Sequence, residues 1–228
     1  MEKKTVSSQA QSLEKAPGET WSPALEKFAQ SMTIGFDQWH DGIGYDLDAL
    51  LELKGDELAR AEAVLIARKN HDWRDSEALA ALNSTQSAAA LKSSISSPNV
   101  QVKLRAARQY AAEGDVAQME DALVESLRTS KIYAGLTQAL ALAEEHPTER
   151  VKQTLFWCAL HGNDDVRVHA AALLFYLYGI AESNFDWDFR PFFLRFNTQD
   201  LEERRAAFLE LCRRVNVDPD GLDLEPSA

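Results

Sequence analysis

From Ser22 onward the chain places apolar residues three and four positions apart, which is the spacing of one face of a helix. SPALEKFAQSM offers a serine cap, a proline at the first helical position, and then Leu25, Phe28 and Met32 on one side. YDLDALLEL reads as a short helix. GDELARAEAVLIARKN starts at an Asp cap and lines up Leu58, Ala61, Leu65 and Ile66. Beyond it the helices come short and close: SEALAAL, TQSAAALKSSI, VQVKLRAARQYAAEG, VAQMEDALVESLRTS, IYAGLTQALALAEEH, TERVKQTLFWCALHG and DVRVHAAALLFYLYG. Gly, Pro, Asn or Ser marks most joints. A helix this short is marginal alone in water, so each needs a neighbour to cover its apolar face. Short connections predict that successive helices pack side by side as hairpins.

The pattern also repeats along the chain. PNVQVKLRAARQY and NDDVRVHAAALLF align with Val102 on Val166, Lys103 on Arg167 and Ala106–Ala107 on Ala170–Ala171, 64 residues apart. This offset is two units of about 32. Weaker echoes occur in AGLTQALALA and in HDWRDSEALAAL, where Trp73-Arg74 takes the Val-basic place. Paired alanines allow close helix approach, Asp165 complements a helix start, and Arg167 can reach an acid or carbonyl in the adjoining repeat.

An acid or Asn, then Val-Arg, then two small residues on a helix resembles the HEAT-like repeats of bacterial proteins. The resemblance covers roughly residues 72–178 and implies an all-α fold, a right-handed stack of antiparallel helical hairpins. Atypical ends must then cover the last apolar faces. We expect an N-terminal cap over 21–71, repeats over 72–179 and a C-terminal cap over 180–217, as one domain. Residues 1–20 show no periodicity and are expected to be a disordered lead-in, and 218–228 a loose acidic tail.

Composition agrees with helices and bears on partners. Only 10 Gly and 7 Pro are present among 228 residues, and 36 acids face 24 bases, for a formal charge of −12. That field disfavours nucleic acid and anionic membrane surfaces and steers in a basic partner. Residues 36–57 concentrate it, with seven acids against Lys54 alone. MEKKTVSSQAQS has no apolar h-region behind its charges, and no apolar run is long enough to span a bilayer. We therefore expect a cytoplasmic protein, with Cys158 and Cys212 as buried free thiols.

Candidate chemistry gathers in FDQWHDGIGYDL, residues 36–47. GIG lacks the third Gly, the Lys-Ser/Thr and the strand of a phosphate loop. Asp37, His40, Asp41 and Asp46 include competent metal ligands, yet no second His stands at a helical spacing. A His-Asp base pair lacks an identifiable nucleophile. Two readings remain. In one, Gly42 and Gly44 shape a turn, Asp46 or Asp48 caps the next helix, and Trp39 and Tyr45 pack on the first hairpin. In the other, Asp37, Trp39, His40, Asp41, Tyr45 and Asp46 contact a basic protein surface. AESNFDWDFRPFFLRF poses the same choice, with six aromatics in sixteen residues around Asp186, Trp187 and Asp188. End-cap packing and partner contact both suit it.

Small acidic cytoplasmic members of the bacterial HEAT-like group resemble immunity proteins encoded beside polymorphic toxins. That resemblance implies a non-catalytic inhibitor, monomeric before it binds, that occludes a cognate toxin domain one to one and needs no cofactor. A HEAT-like scaffold or regulator is the second expectation. An enzyme is the third, of lyase or DNA-glycosylase type. The glycosylase reading needs a basic concave face, which the net charge opposes.

Overall fold

The computed structural model describes residues 13–112, 114–131 and 135–224, and every regular element among them is helical. None of the helices described is long and apolar enough to cross a membrane. The chain divides into two compact units, with the boundary between Glu113 and Gly114.

In the first unit, α1 (Pro23–Ser31) begins as its sequence predicts: the Leu25 amide donates to the Ser22 hydroxyl at 3.1 Å. After it come α2 (Phe36–His40), α3 (Leu47–Glu52), α4 (Gly55–Arg68), α5 (Trp73–Leu82), α6 (Thr85–Ser94) and α7 (Val100–Ala112). The start of α4 differs from expectation. The helix opens at Gly55 with φ +56°, a left-handed angle that favours glycine, and Asp56 lies in the first turn instead of capping it. Helix α5 packs on α3, α4, α6 and α7, so it is the centre of this unit. Leu25, Phe28, Tyr45, Leu50, Leu65 and Leu79 share one core. Burying each large apolar side chain contributes about 1.5–3 kcal/mol, which sustains helices too short to persist alone.

Of the expected lead-in, residues 1–12 lie outside the described residues. From Leu13 the chain runs against α1 and α4. Arg60 donates to Glu19 at 2.7 Å and to the Glu14 carbonyl, Lys15 pairs with Glu26 at 2.6 Å, and Trp21 has both cations 5.6 Å from its ring. Of the expected tail, residues 225–228 lie outside the described residues, and Asp218 caps a 3-10 turn over Pro219–Gly221.

The second unit holds α8 (Val116–Thr129), α9 (Thr137–Glu145), α10 (Glu149–His161) and α11 (Asp164–Leu177). A 3-10 turn (Trp187–Phe189), α12 (Arg190–Phe193), a second 3-10 turn (Leu194–Phe196) and α13 (Leu201–Arg214) follow. Helix α8 packs on α9 and α10, α11 on α9 and α10, and α10 on α13. The expected start of α9 at Ile132 falls on residues outside those described. The aromatic run closes the unit: Phe193 and Phe196 are fully buried, and Phe175 of α11 meets Phe189, Phe192 and Phe193 at 5.2–5.3 Å. Cys158 and Cys212 are buried free thiols, as expected. Burial pushes Cys158 up to about 12 and Cys212 to about 11, so neither forms a thiolate near neutrality.

The sequence repeat corresponds to a repeated joint. Asn99 accepts from the Gln101 amide at 3.1 Å and donates to the His71 carbonyl at 3.3 Å. Asn163, at the matching position, accepts from the Val166 amide at 3.2 Å and donates to the Ser130 carbonyl at 2.9 Å. Each asparagine thus starts a helix and ties it to a segment about thirty residues earlier. The basic position recurs too, with Arg74, Lys103 and Arg167 all buried. Arg167 donates to the carbonyls of Phe196 (2.8 Å), Gly162 (2.9 Å) and Thr198 (3.1 Å) and to Asp164 (2.5 Å). The expected reach of Arg167 to an adjoining segment is met by the Phe196 and Thr198 carbonyls, while the acid it pairs with, Asp164, stands on its own helix. Asn163→Ala removes both the cap and the tie, and should cost about 1–2 kcal/mol in urea unfolding. Asn163→Asp keeps the cap acceptor and should recover part of that loss.

Candidate interaction site

Helix α2 is a single short turn whose five residues are all exposed, so no buried face explains it. Its ends do. The Gly35 amide donates to the Gln38 side chain at 3.1 Å, and the Asp41 amide donates to the Asp37 carbonyl at 2.9 Å. Gly42 then turns the chain with φ +65°, an angle that L side chains resist, and the Ile43 amide donates back to the Gln38 carbonyl at 2.9 Å.

This loop is gripped from below by Arg74, whose side chain is only 2% exposed. Its Nε donates to the Ile43 carbonyl at 2.5 Å and its Nη2 to the Gln38 carbonyl at 3.1 Å. Nη1 lies 3.2 Å from both Asp72 oxygens, and the guanidinium stacks 4.5 Å from the Trp73 ring centre. A planar fork with five donors suits several acceptors at once, which an ammonium point charge does not. The other anchor is Tyr45. It is buried at 6% exposure, donates to Asp75 at 3.1 Å and receives from Arg68 at 3.1 Å. Burial raises the pKa of the Tyr45 phenol and that of the Asp75 carboxyl.

Above these anchors stands an exposed apolar and acidic projection. Phe36 is 72% exposed, Trp39 65% and Ile43 51%. The Phe36 ring lies 6.1 Å from Trp39 and 5.8 Å from His40. Asp37 and Asp41 are exposed beside them, and Asp41 meets His40 Nδ1 at 2.9 Å. Isolated exposed apolar residues are ordinary, but three large ones within eight positions make a patch.

The structure thus separates the residues expected to act together. Trp39 does not pack on the first hairpin; it is 65% exposed and its ring lies against Phe36. Tyr45 leaves the expected contact set, since its hydroxyl is used inside the core. Asp46 caps α3 by accepting from the Ala49 amide at 2.9 Å and pairs with Lys27 at 2.9 Å, and these contacts, the cap first, hold its carboxyl below the usual range. Asp37, His40, Asp41 and Asp46 do not converge, and no group of three or more potential metal ligands occurs among the described residues.

A shallow groove of about 400 Å³ lies on the same unit, lined by Leu47, Ser76, Glu77, Arg105, Arg108 and Gln109 among others. Arg105 donates to Glu77 at 3.1 Å and lies over Trp73 at 4.9 Å. Burial pushes the Glu77 carboxyl up while the Arg105, Arg74 and Arg108 charges pull it down. Arg105 is the ion-pair partner of this carboxyl.

In the second unit, Asp186 accepts from the Asp188 amide at 3.0 Å and the Glu182 amide at 3.2 Å, so it shapes the turn. Trp187 is 72% exposed, Arg190 lies 5.2 Å from its ring centre, and Phe185 braces it edge-on at 6.1 Å. Asp188 is exposed. Sequence reasoning missed Phe36, Ile43 and Arg74 as parts of the first site. The signal for Arg74 was present in its basic repeat position, while its targets lie 31 and 36 residues away. Comparison with protein-family models, curated proteins and solved structures gives no match to this chain.

Proposed function

We propose that the protein is a non-catalytic binding module that engages a basic protein partner through the Phe36–Ile43 projection. One observation carries this reading: a loop rich in exposed aromatics and acids is held from beneath by a buried arginine. Interface hot spots are enriched in tryptophan that enters a dry pocket, and pre-ordering such a side chain reduces the entropy lost on binding. Asp37 and Asp41 supply the flanking charge that orients a basic surface, and the net charge of −12 speeds the encounter.

The partner that best fits the acidity, the size and the resemblance to HEAT-like immunity proteins is a cognate toxin domain, neutralised by surface occlusion. The architecture that goes with this reading is a stack of antiparallel helical hairpins within each unit. The paired asparagine joints and the packing of α3 on α5, α5 on α7, α8 on α10 and α9 on α11 support it. A scaffold role within a larger complex is the alternative. Co-expression with the adjacent open reading frame separates the two: rescue of growth from a toxic neighbour supports the inhibitor, and a non-toxic neighbour the scaffold.

The binding reading is tested by purification from the native host. A stoichiometric partner should co-purify, and Trp39→Ala should weaken the complex by about 30-fold or more, the effect of losing about 2 kcal/mol at a hot spot. Binding that is indifferent to Trp39→Ala, or no stoichiometric partner, refutes it.

A further inference from the structure

The second unit contains a cleft that the proposed contact does not use. Leu136, Leu140 and Ala141 from the α9 side, Leu173 from α11, and Phe185 from the loop after α11 wall a cavity of about 250 Å³. Three polar side chains complete it: Thr137, His169 and Asn184. In a chain with 60 charged residues, no described lining residue carries a fixed charge. The Asn184 amide donates to Glu144 at 2.8 Å, which ties the loop over α9.

His169 sets the chemistry. Its ring lies 5.2 Å from Phe185, tilted by 46°, and makes no hydrogen bond with a described residue. Burial lowers its pKa against the opposing pull of Asp165, so the ring is neutral at pH 7 and keeps one bare nitrogen acceptor and one N–H donor. The side chain is half-buried, so these groups are open to water or to a ligand in the cleft.

The geometry points to a binding site for a small uncharged aromatic molecule, seated among Leu136, Leu140, Leu173 and Phe185 and hydrogen-bonded to His169. Size supports a ring system. An apolar cavity of about 150 Å³ accepts benzene, so this cleft has room for a fused or substituted ring. No fixed charge among the described lining residues offers a partner to an ion, which favours an uncharged occupant. Apolar walls with a few convergent polar groups are the usual make-up of small-molecule sites. The site lies in the unit that lacks the Phe36–Ile43 projection and stands independently of the partner reading.

The test is a titration of the full chain with indole, followed by amide NMR, alongside indene, which has nearly the same shape but no N–H. Indole should give saturable shifts centred on residues 136–141, 169–173 and 184–185. Indene should bind about fivefold more weakly, the loss of one hydrogen bond, and benzoate should not bind. Ala141→Phe, at an exposed helical position, fills the cleft without disturbing the core, and should abolish the shifts while leaving the thermal midpoint unchanged. His169→Phe should equalise indole and indene. Shifts that never saturate, or that survive Ala141→Phe, would overturn the assignment, as would equal binding of indole and indene by the unaltered chain.

Discussion

Arg74→Met should cost the first unit about 3 kcal/mol and free the Phe36–Ile43 loop. The substitution keeps much of the side-chain volume but removes every donor. The Ile43 carbonyl loses the short bond from Nε, the Gln38 carbonyl keeps only the Ile43 amide, and Asp72 loses a guanidinium at 3.2 Å. Removing one member of a buried, hydrogen-bonded charge set leaves its partners desolvated and unpaired, and that residual cost exceeds the gain from the new apolar contacts. Arg74→Lys should recover only part of the loss, because an ammonium reaches one or two of these acceptors and not all of them. Urea unfolding measures the energy, and amide hydrogen exchange at residues 36–46 locates it. Fast exchange there, with α4 and α6 still protected, is the expected pattern.

Phe175→Ala should be the most damaging single change in the second unit, at about 3–5 kcal/mol. Phe175 is fully buried and touches three further phenylalanines, each at a centroid distance of 5.2–5.3 Å. Two of these pairs are edge-on and one is stacked, arrangements that add to simple area burial. Truncation to Ala leaves a void that Phe192 and Phe193 cannot fill, because both are held by other rings and by the turn at 194–196. Phe175→Leu leaves much less empty volume and should cost clearly less. Urea titration of both variants checks the ranking, and an equal cost for Leu and Ala would show that the empty volume contributes little beside the lost ring contacts.

The helices were legible because their information is local. Ser22 capping α1 and Asp46 capping α3 are set by residues within one turn, and the apolar spacing of Leu25 and Phe28 or Ala61 and Leu65 names the buried face directly. Helix α2 was not legible for the converse reason. FDQWH buries nothing, and it is held by Gln38 and by an arginine more than thirty residues downstream. The choice between Trp39 and Tyr45 was equally non-local. Both are amphipathic aromatics in one loop, and only the placement of Arg68 and Asp75 decides which ring goes inside. The repeat alignment came closest to long-range information: it matched Asn99 to Asn163 and put Arg74 in a basic register without naming what either residue bonds. The place of His169 beside Phe185 in a cleft was likewise not legible, because the two residues come from different segments of the chain.

The most direct test of the account is hydrogen–deuterium exchange on the purified chain with and without its co-purified partner. The account predicts that the amides of residues 36–43 gain the strongest protection in the complex, and that raising the salt concentration slows association more than it speeds dissociation. Protection confined to other surfaces, with 36–43 exchanging as in the free chain, would contradict it.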